Sequence, residues 1–172
     1  MKFFSGFSLK NEEHFFQEFI KESDFTVCGF SYGAIKAYRY AKECISQGKR
    51  VDTLQLFSPA FFQTQGDKFK RLQMLSYSKE RKKYIEQFID ACFSPYAKEE
   101  LEFQKTTKEE LEELLNFQWS FDELKFLIDN GVTVEVYLGG CDAIIDVDSA
   151  KDFFVKVATV SYIKDANHFL QL

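Results

Sequence analysis

The sequence predicts an α/β fold: a mostly parallel sheet with helices on both faces and a helical lid inserted before the last strands. Three observations carry this reading. Short apolar runs alternate with stretches of helical periodicity through most of the 172 residues. One junction, residues 25–46, runs from an apolar strand through Gly29-Phe30-Ser31-Tyr32-Gly33 into a helix. Between about Ala60 and Gln118 the alternation stops, and charge-rich helical segments replace it with no convincing strand.

In order, Lys2-Phe3-Phe4 reads as a first strand and Ser5-Gly6-Phe7-Ser8 as the loop after it. Asn11 is a suitable N-cap for a helix whose first turn carries Glu12 and Glu13 and whose Phe15, Phe16, Phe19 and Ile20 fall on one side. Ser23-Asp24 breaks that helix. Phe25 to Cys28 is the next strand, and Ala34 to Ser46 the helix after the turn, closed by Gly48. Val51 to Phe57 is a strand that Ser58-Pro59 terminates, because proline restricts its predecessor and donates no ladder bond. The insertion holds helical segments at 67–77, 79–92 and 107–117, the last opened by a Thr107-x-x-Glu110 capping box. Ser120-x-x-Glu123 is a second such box, for a helix ending at Gly131. Val132 to Leu138 is β-branched and alternating, hence a strand. A helix over 148–157 and a last strand over 159–163 complete the pattern. Residues 1–60 and 119–172 are therefore expected to form the core, and 61–118 a helical cap.

Composition narrows the partners. The chain is 45% hydrophobic and 28% charged, in the globular range. A net charge of −5 disfavours nucleic acid as a general partner. No apolar run is long enough to span a membrane, and Met1 to Gly6 lacks an h-region, which disfavours secretion. Cys28, Cys44, Cys92 and Cys141 have neither C-x-x-C spacing nor nearby histidines, so they read as reduced cytosolic thiols with no metal site. A cytoplasmic protein is the expectation.

The chemistry gathers at strand ends. In a strand–G-x-S-x-G–helix junction the serine sits on a tight turn, and the residues two before and two after it must be nearly without side chains; Gly29 and Gly33 meet this. Ser31 is expected to point its hydroxyl out to solvent. Serine is a weak nucleophile without a base. Of the two histidines, His14 lies in the first helix, whereas His168 follows the last strand and is the candidate base. A base needs a carboxylate to orient it. Asp142 follows the strand ending at Leu138 and is the choice over Asp146 and Asp148, which start the next helix, and over Asp165, a turn former. The order Ser31, Asp142, His168 is that of the α/β-hydrolases and differs from the chymotrypsin and subtilisin orders. The backbone N–H of Tyr32 and one from the loop after the first strand, assigned to Phe7, would form the oxyanion hole. The reaction needs no cofactor beyond water.

These residues carry a resemblance. The chain resembles the α/β-hydrolases at Gly29-Phe30-Ser31-Tyr32-Gly33, at Leu138-Gly139-Gly140-Cys141-Asp142 and at Asn167-His168-Phe169. Within them it looks like the short pimeloyl-[acyl-carrier protein] methyl ester esterases of the BioV type. That likeness rests on the opening Phe3-Phe4-Ser5-Gly6-Phe7-Ser8-Leu9-Lys10-Asn11-Glu12, the elbow and the near-terminal His168. The resemblance implies hydrolysis of pimeloyl-ACP methyl ester to pimeloyl-ACP and methanol in biotin synthesis, with an acyl carrier protein as partner. The chain departs from ordinary members in starting almost at the oxyanion strand and in lacking a His-Gly there, so a minimal sheet is expected.

One feature of the residues fits an acidic carrier. Residues 67–84 hold seven basic side chains against two acidic ones, among them Lys68, Lys70, Arg71, Arg81 and Lys82. A solvated helix face accounts for the same charges. Other readings are an esterase or thioesterase of this fold with a different acyl substrate, a non-catalytic binding protein on the fold, and a thiol-dependent protein using Cys28 or Cys141.

Overall fold

The computed structural model describes all residues, Met1–Leu172. Five strands, β1 (Lys2–Phe4), β3 (Thr26–Phe30), β4 (Thr53–Phe57), β6 (Thr133–Gly139) and β7 (Thr159–Ile163), form one wholly parallel sheet in the order β1-β3-β4-β6-β7. Register brings the carboxyl ends to one edge. Phe4 lies opposite Gly29, Phe30 opposite Phe57 and Phe57 opposite Tyr137. β6 runs two residues further, to Gly139 opposite Ile163.

The sheet is covered on both faces, unequally. On one face Val27, Leu54, Leu56, Val134, Val136 and Leu138 join the larger core with α1 (Tyr32–Ser46), α5 (Phe121–Asp129) and α6 (Val147–Phe154). On the other, Cys28, Phe30 and Phe57 pack under Phe16, Phe93 and Phe169. β3 and β4 are buried throughout, as central parallel strands are.

The expected first helix is instead a single 3-10 turn, Glu12–Phe16. Asn11 does not cap it: its backbone is left-handed (φ 60°) and its side chain makes no cap bond. The regular amphipathic pattern fails because Glu12, on what would be the polar side, turns inward and is fully buried. Phe16 still reaches the core, stacked on Phe57 at 4.7 Å. This connection steps across the sheet in the same direction as α1 but on the opposite face, so its hand is opposite to that of the β3–α1–β4 crossover.

The insertion contains α2 (Asp67–Lys79), α3 (Arg81–Phe93) and α4 (Lys108–Asn116). It also contains a strand that the sequence does not announce. β5 (Glu102–Phe103) pairs antiparallel with β2 (Leu9–Lys10), tying the insertion to the segment after β1. Both strands have two residues, too few for any periodicity. The Thr107 capping box forms in full, with Glu110 N–H to Thr107 Oγ1 at 3.2 Å and Thr107 N–H to Glu110 Oε2 at 2.9 Å. At Ser120 only half forms: its hydroxyl accepts from Glu123 N–H, but the Glu123 carboxylate is taken by Tyr38 and Lys42 of α1.

Candidate active site

Ser31 is the hinge between β3 and α1, with φ 53° and ψ −114°. Such a backbone is costly for a non-glycine residue and persists only where its surroundings impose it. They do so here by close packing. A Cβ at Gly33 would lie 1.9 Å from the Phe4 carbonyl oxygen, and one at Gly29 would lie 2.2 Å from that of Gly33. The turn is thus pressed against the end of β1. Ser31 N–H is held by the Phe57 carbonyl at 2.9 Å, and its own carbonyl accepts from Ala34 and Ala60.

Asp142 and His168 arrive from β6 and β7. His168 Nε2 lies 3.0 Å from Ser31 Oγ, and His168 Nδ1 lies 2.6 Å from Asp142 Oδ2. A carboxylate only accepts, so Nδ1 carries the proton and Nε2 is left as the acceptor for the serine O–H. The other Asp142 oxygen accepts from Ile144 N–H at 2.7 Å, which fixes the carboxylate plane. The imidazole rests on the Phe30 ring, 4.9 Å between centroids. Ser31, Asp142 and His168 are thus brought together as one hydrogen-bonded chain. Asp146 instead caps α6 through Ser149 N–H, Asp165 offers its carbonyl to Tyr96, and His14 is exposed and bonds the Asn11 carbonyl.

One expectation is corrected. Ser31 is not open to solvent; it is 4% exposed and His168 is fully buried. Phe7 packs edge-on against Tyr32, the residue after Ser31, and against Phe88 of α3.

The oxyanion candidates are backbone groups. Tyr32 is the first residue of α1, where helix N–H groups have no intrahelical partner. Phe7 N–H has no partner within the protein, whereas its neighbour Gly6 N–H is occupied by Glu12.

Asn167 is a site residue that pattern reading missed. It is fully buried. Its Oδ1 accepts from Phe169 and Gln171 N–H, and its Nδ2 donates to the Phe93 carbonyl and Gln171 Oε1. These bonds fold the loop that presents His168. Gly139 lets that loop approach, since a Cβ there would meet the Asn167 carbonyl oxygen at 2.2 Å.

Beside the site lies a cavity of about 350 Å³, lined mainly by Phe7, Phe62, Phe88, Leu111, Leu115 and Ile144. Phe7 and Ile144 connect it to the oxyanion loop and to Asp142. The thiols take no part in the hydrogen-bonded chain. Burial pushes Cys28 up to about 12 and Cys92 well above its ordinary value, which makes both inert. Cys141 is exposed and its thiol points to the Lys164 carbonyl. No three His, Cys, Asp or Glu side chains are grouped to hold a metal.

The basic residues of the cap are apart from the cavity lining. Lys68 and Arg71 are exposed on α2, Lys70 is half-buried, and none of the three forms an ion pair. Arg81 lies over the Tyr77 ring at 5.6 Å, and Lys82 pairs loosely with Glu86 at 3.9 Å. No helix is long and apolar enough to cross a membrane.

A parallel sheet with a strained serine turn after its second strand, an acid and a histidine after its last two, and a helical insertion between, is the α/β-hydrolase fold. Solved structures share it. The chain superposes on BioG from Haemophilus influenzae with a TM-score of 0.58 at 10% identity, covering 98% of this chain and 87% of that one. On naproxen esterase (carboxylesterase NP) from Bacillus subtilis the TM-score is 0.53 at 15% identity, covering 84% and 53%. On the carboxylesterase CesB (YbfK) from Bacillus subtilis it is 0.54 at 15% identity, covering 94% and 61%. The chain therefore spans about half to three-fifths of the length of these two Bacillus enzymes. No family model matches the sequence, and no curated protein matches it.

Proposed function

We propose that this protein is a serine carboxylic-ester hydrolase working through an acyl-enzyme, and that its substrate is the methyl ester of pimeloyl-ACP. The observation that carries the first half is the Asp142–His168–Ser31 chain, at 2.6 and 3.0 Å, on a serine held at positive φ. Ser31 Oγ would attack the ester carbonyl while His168 Nε2 takes its proton. The tetrahedral oxyanion would be met by the N–H groups of Tyr32 and Phe7. As the C–O bond to the methoxy group breaks, His168 returns the proton and methanol leaves. Water then attacks the acyl-Ser31 carbonyl with His168 again as base, and the carboxylate and free Ser31 result.

The second half rests on the resemblance at the opening, elbow and His168, and two features are consistent with it. The apolar cavity lined by Phe7 and Ile144 has room for a medium-length acyl chain. Lys68, Lys70, Arg71, Arg81 and Lys82 give the cap a basic face suited to an acidic carrier protein. Naproxen esterase and CesB are carboxylesterases of this fold, which fits the first half and is silent on the second. Specificity lives in pocket and cap rather than in the triad, so another acyl ester remains the competing substrate. Hydrolysis of pimeloyl-ACP methyl ester, compared with a short p-nitrophenyl ester, tests this. The expected kcat/KM ratio is at least about a hundredfold in favour of the carrier-borne ester, or about 2.7 kcal/mol of selective transition-state binding. Equal values would overturn the substrate assignment and leave the serine chemistry standing.

A further inference from the structure

Glu12 is a fully buried carboxyl that the proposed reaction does not use. Its Oε1 accepts the Gly6 N–H at 2.6 Å, and its Oε2 has no partner. Glu12 sits on the short 3-10 turn directly after the loop expected to supply the second oxyanion donor. After Phe7 the backbone is twice left-handed, at Ser8 (φ 64°) and at Asn11 (φ 60°). Gly6 itself is fastened at both ends: its N–H by Glu12, its carbonyl by Leu9 N–H at 3.2 Å. Gly6 also lies on the Phe30 ring that supports His168, since a Cβ there would meet that ring at 2.9 Å. The next N–H, that of Phe7, is left without a partner in the protein.

We propose that Glu12 is a positioning residue for the oxyanion loop: by taking the Gly6 N–H, it fixes the Ser5–Gly6 peptide, next to the Gly6–Phe7 peptide that Leu9 N–H holds through the Gly6 carbonyl, and so leaves the Phe7 N–H free to meet the oxyanion. An apolar side chain would fill the same buried space without an orphaned oxygen, so packing alone does not account for a carboxyl here. Burial lifts the Glu12 pKa above its ordinary value, opposed by the Gly6 N–H, its own N–H and the Ser5 hydroxyl. Glutamine keeps an acceptor of the same reach for the Gly6 N–H.

The role rests on the serine-hydrolase reading, and the test separates the two. Steady-state kinetics on p-nitrophenyl butyrate are measured for the full chain and for Glu12→Gln, Glu12→Leu and Glu12→Asp, with Tm recorded for each. Glu12→Gln should keep kcat within about threefold. Glu12→Leu and Glu12→Asp should lose kcat by about 10–1,000-fold, the range for a lost oxyanion donor, with KM nearly unchanged. Glu12→Asp, one methylene too short to reach Gly6, carries the comparison if the leucine variant does not fold. A folded Glu12→Leu or Glu12→Asp with wild-type kcat overturns the role of Glu12 alone. A wild-type protein with no turnover overturns the functional reading and the role with it.

Discussion

Ser31 owes its position to what its neighbours lack. Gly29 and Gly33 allow backbone to pass where any Cβ would collide, and the turn they permit holds Ser31 at a φ that a free chain avoids. His168 is held from the other side. Asn167 closes its loop onto Phe93 and Gln171, and Asp142 orients its ring. Asp142→Asn would keep the packing but offer Nδ2–H or a neutral oxygen where a carboxylate now stands, which disfavours the imidazolium. Its kcat should fall by about 10⁴-fold with Tm changed by only a few degrees, measured on the same ester by steady-state kinetics and thermal melting. Ser31, Asp142 and His168 could be picked out from the sequence because each follows a strand end, and sequence order says which strand. Asn167 and Glu12 could not, because their partners are backbone groups whose proximity arises only on folding. The same is true of the burial of Ser31.

The strands and helices of the core were legible because parallel strands are apolar runs and their crossover helices keep a 3.6-residue period. β7 has the range its pattern predicts, and β3, β4 and β6 shift by one or two residues. The failures are short elements, among them both strands of the β2–β5 pair. The 3-10 turn replaces a helix because Glu12 points inward, and β5 has no pattern to read. How the cap attaches to the core was also invisible. Tyr32 and Arg39 of α1 both bond Glu113 of α4, and Lys36 bonds Glu110. Burial alone would raise the Glu113 pKa, but the bonds from Tyr32 and Arg39 more than offset this and hold it below its ordinary 4.5. A depressed carboxylate pKa contributes stability that is present above the unfolded value and is lost as pH falls through the folded one. The Tm of the wild type should therefore drop below about pH 4.5, and Glu113→Gln should show a shallower drop there and a lower Tm at pH 7. Identical pH profiles for the two proteins would mean that this contact does not hold the cap.

Charge is distributed unevenly over the molecule. The chain carries −5 overall, yet residues 67–84 are strongly basic, and Lys68, Lys70 and Arg71 form no ion pair. A field of that kind speeds encounter with an acidic partner and is screened by salt over about 10 Å at 0.1 M. Raising salt from about 50 to 500 mM should cut kcat/KM for the carrier-borne methyl ester several-fold while leaving that for a neutral short ester within about twofold. Equal salt responses would remove the docking role from the basic face. Beneath docking and cap lies the claim on which the rest depends, that Ser31 is a nucleophile activated by His168. Intact-mass analysis after treatment with a fluorophosphonate reads this directly. A single adduct mapping to the peptide of Ser31, absent in Ser31→Ala, is the predicted result; no adduct on the wild type, or one that persists in Ser31→Ala, would contradict it.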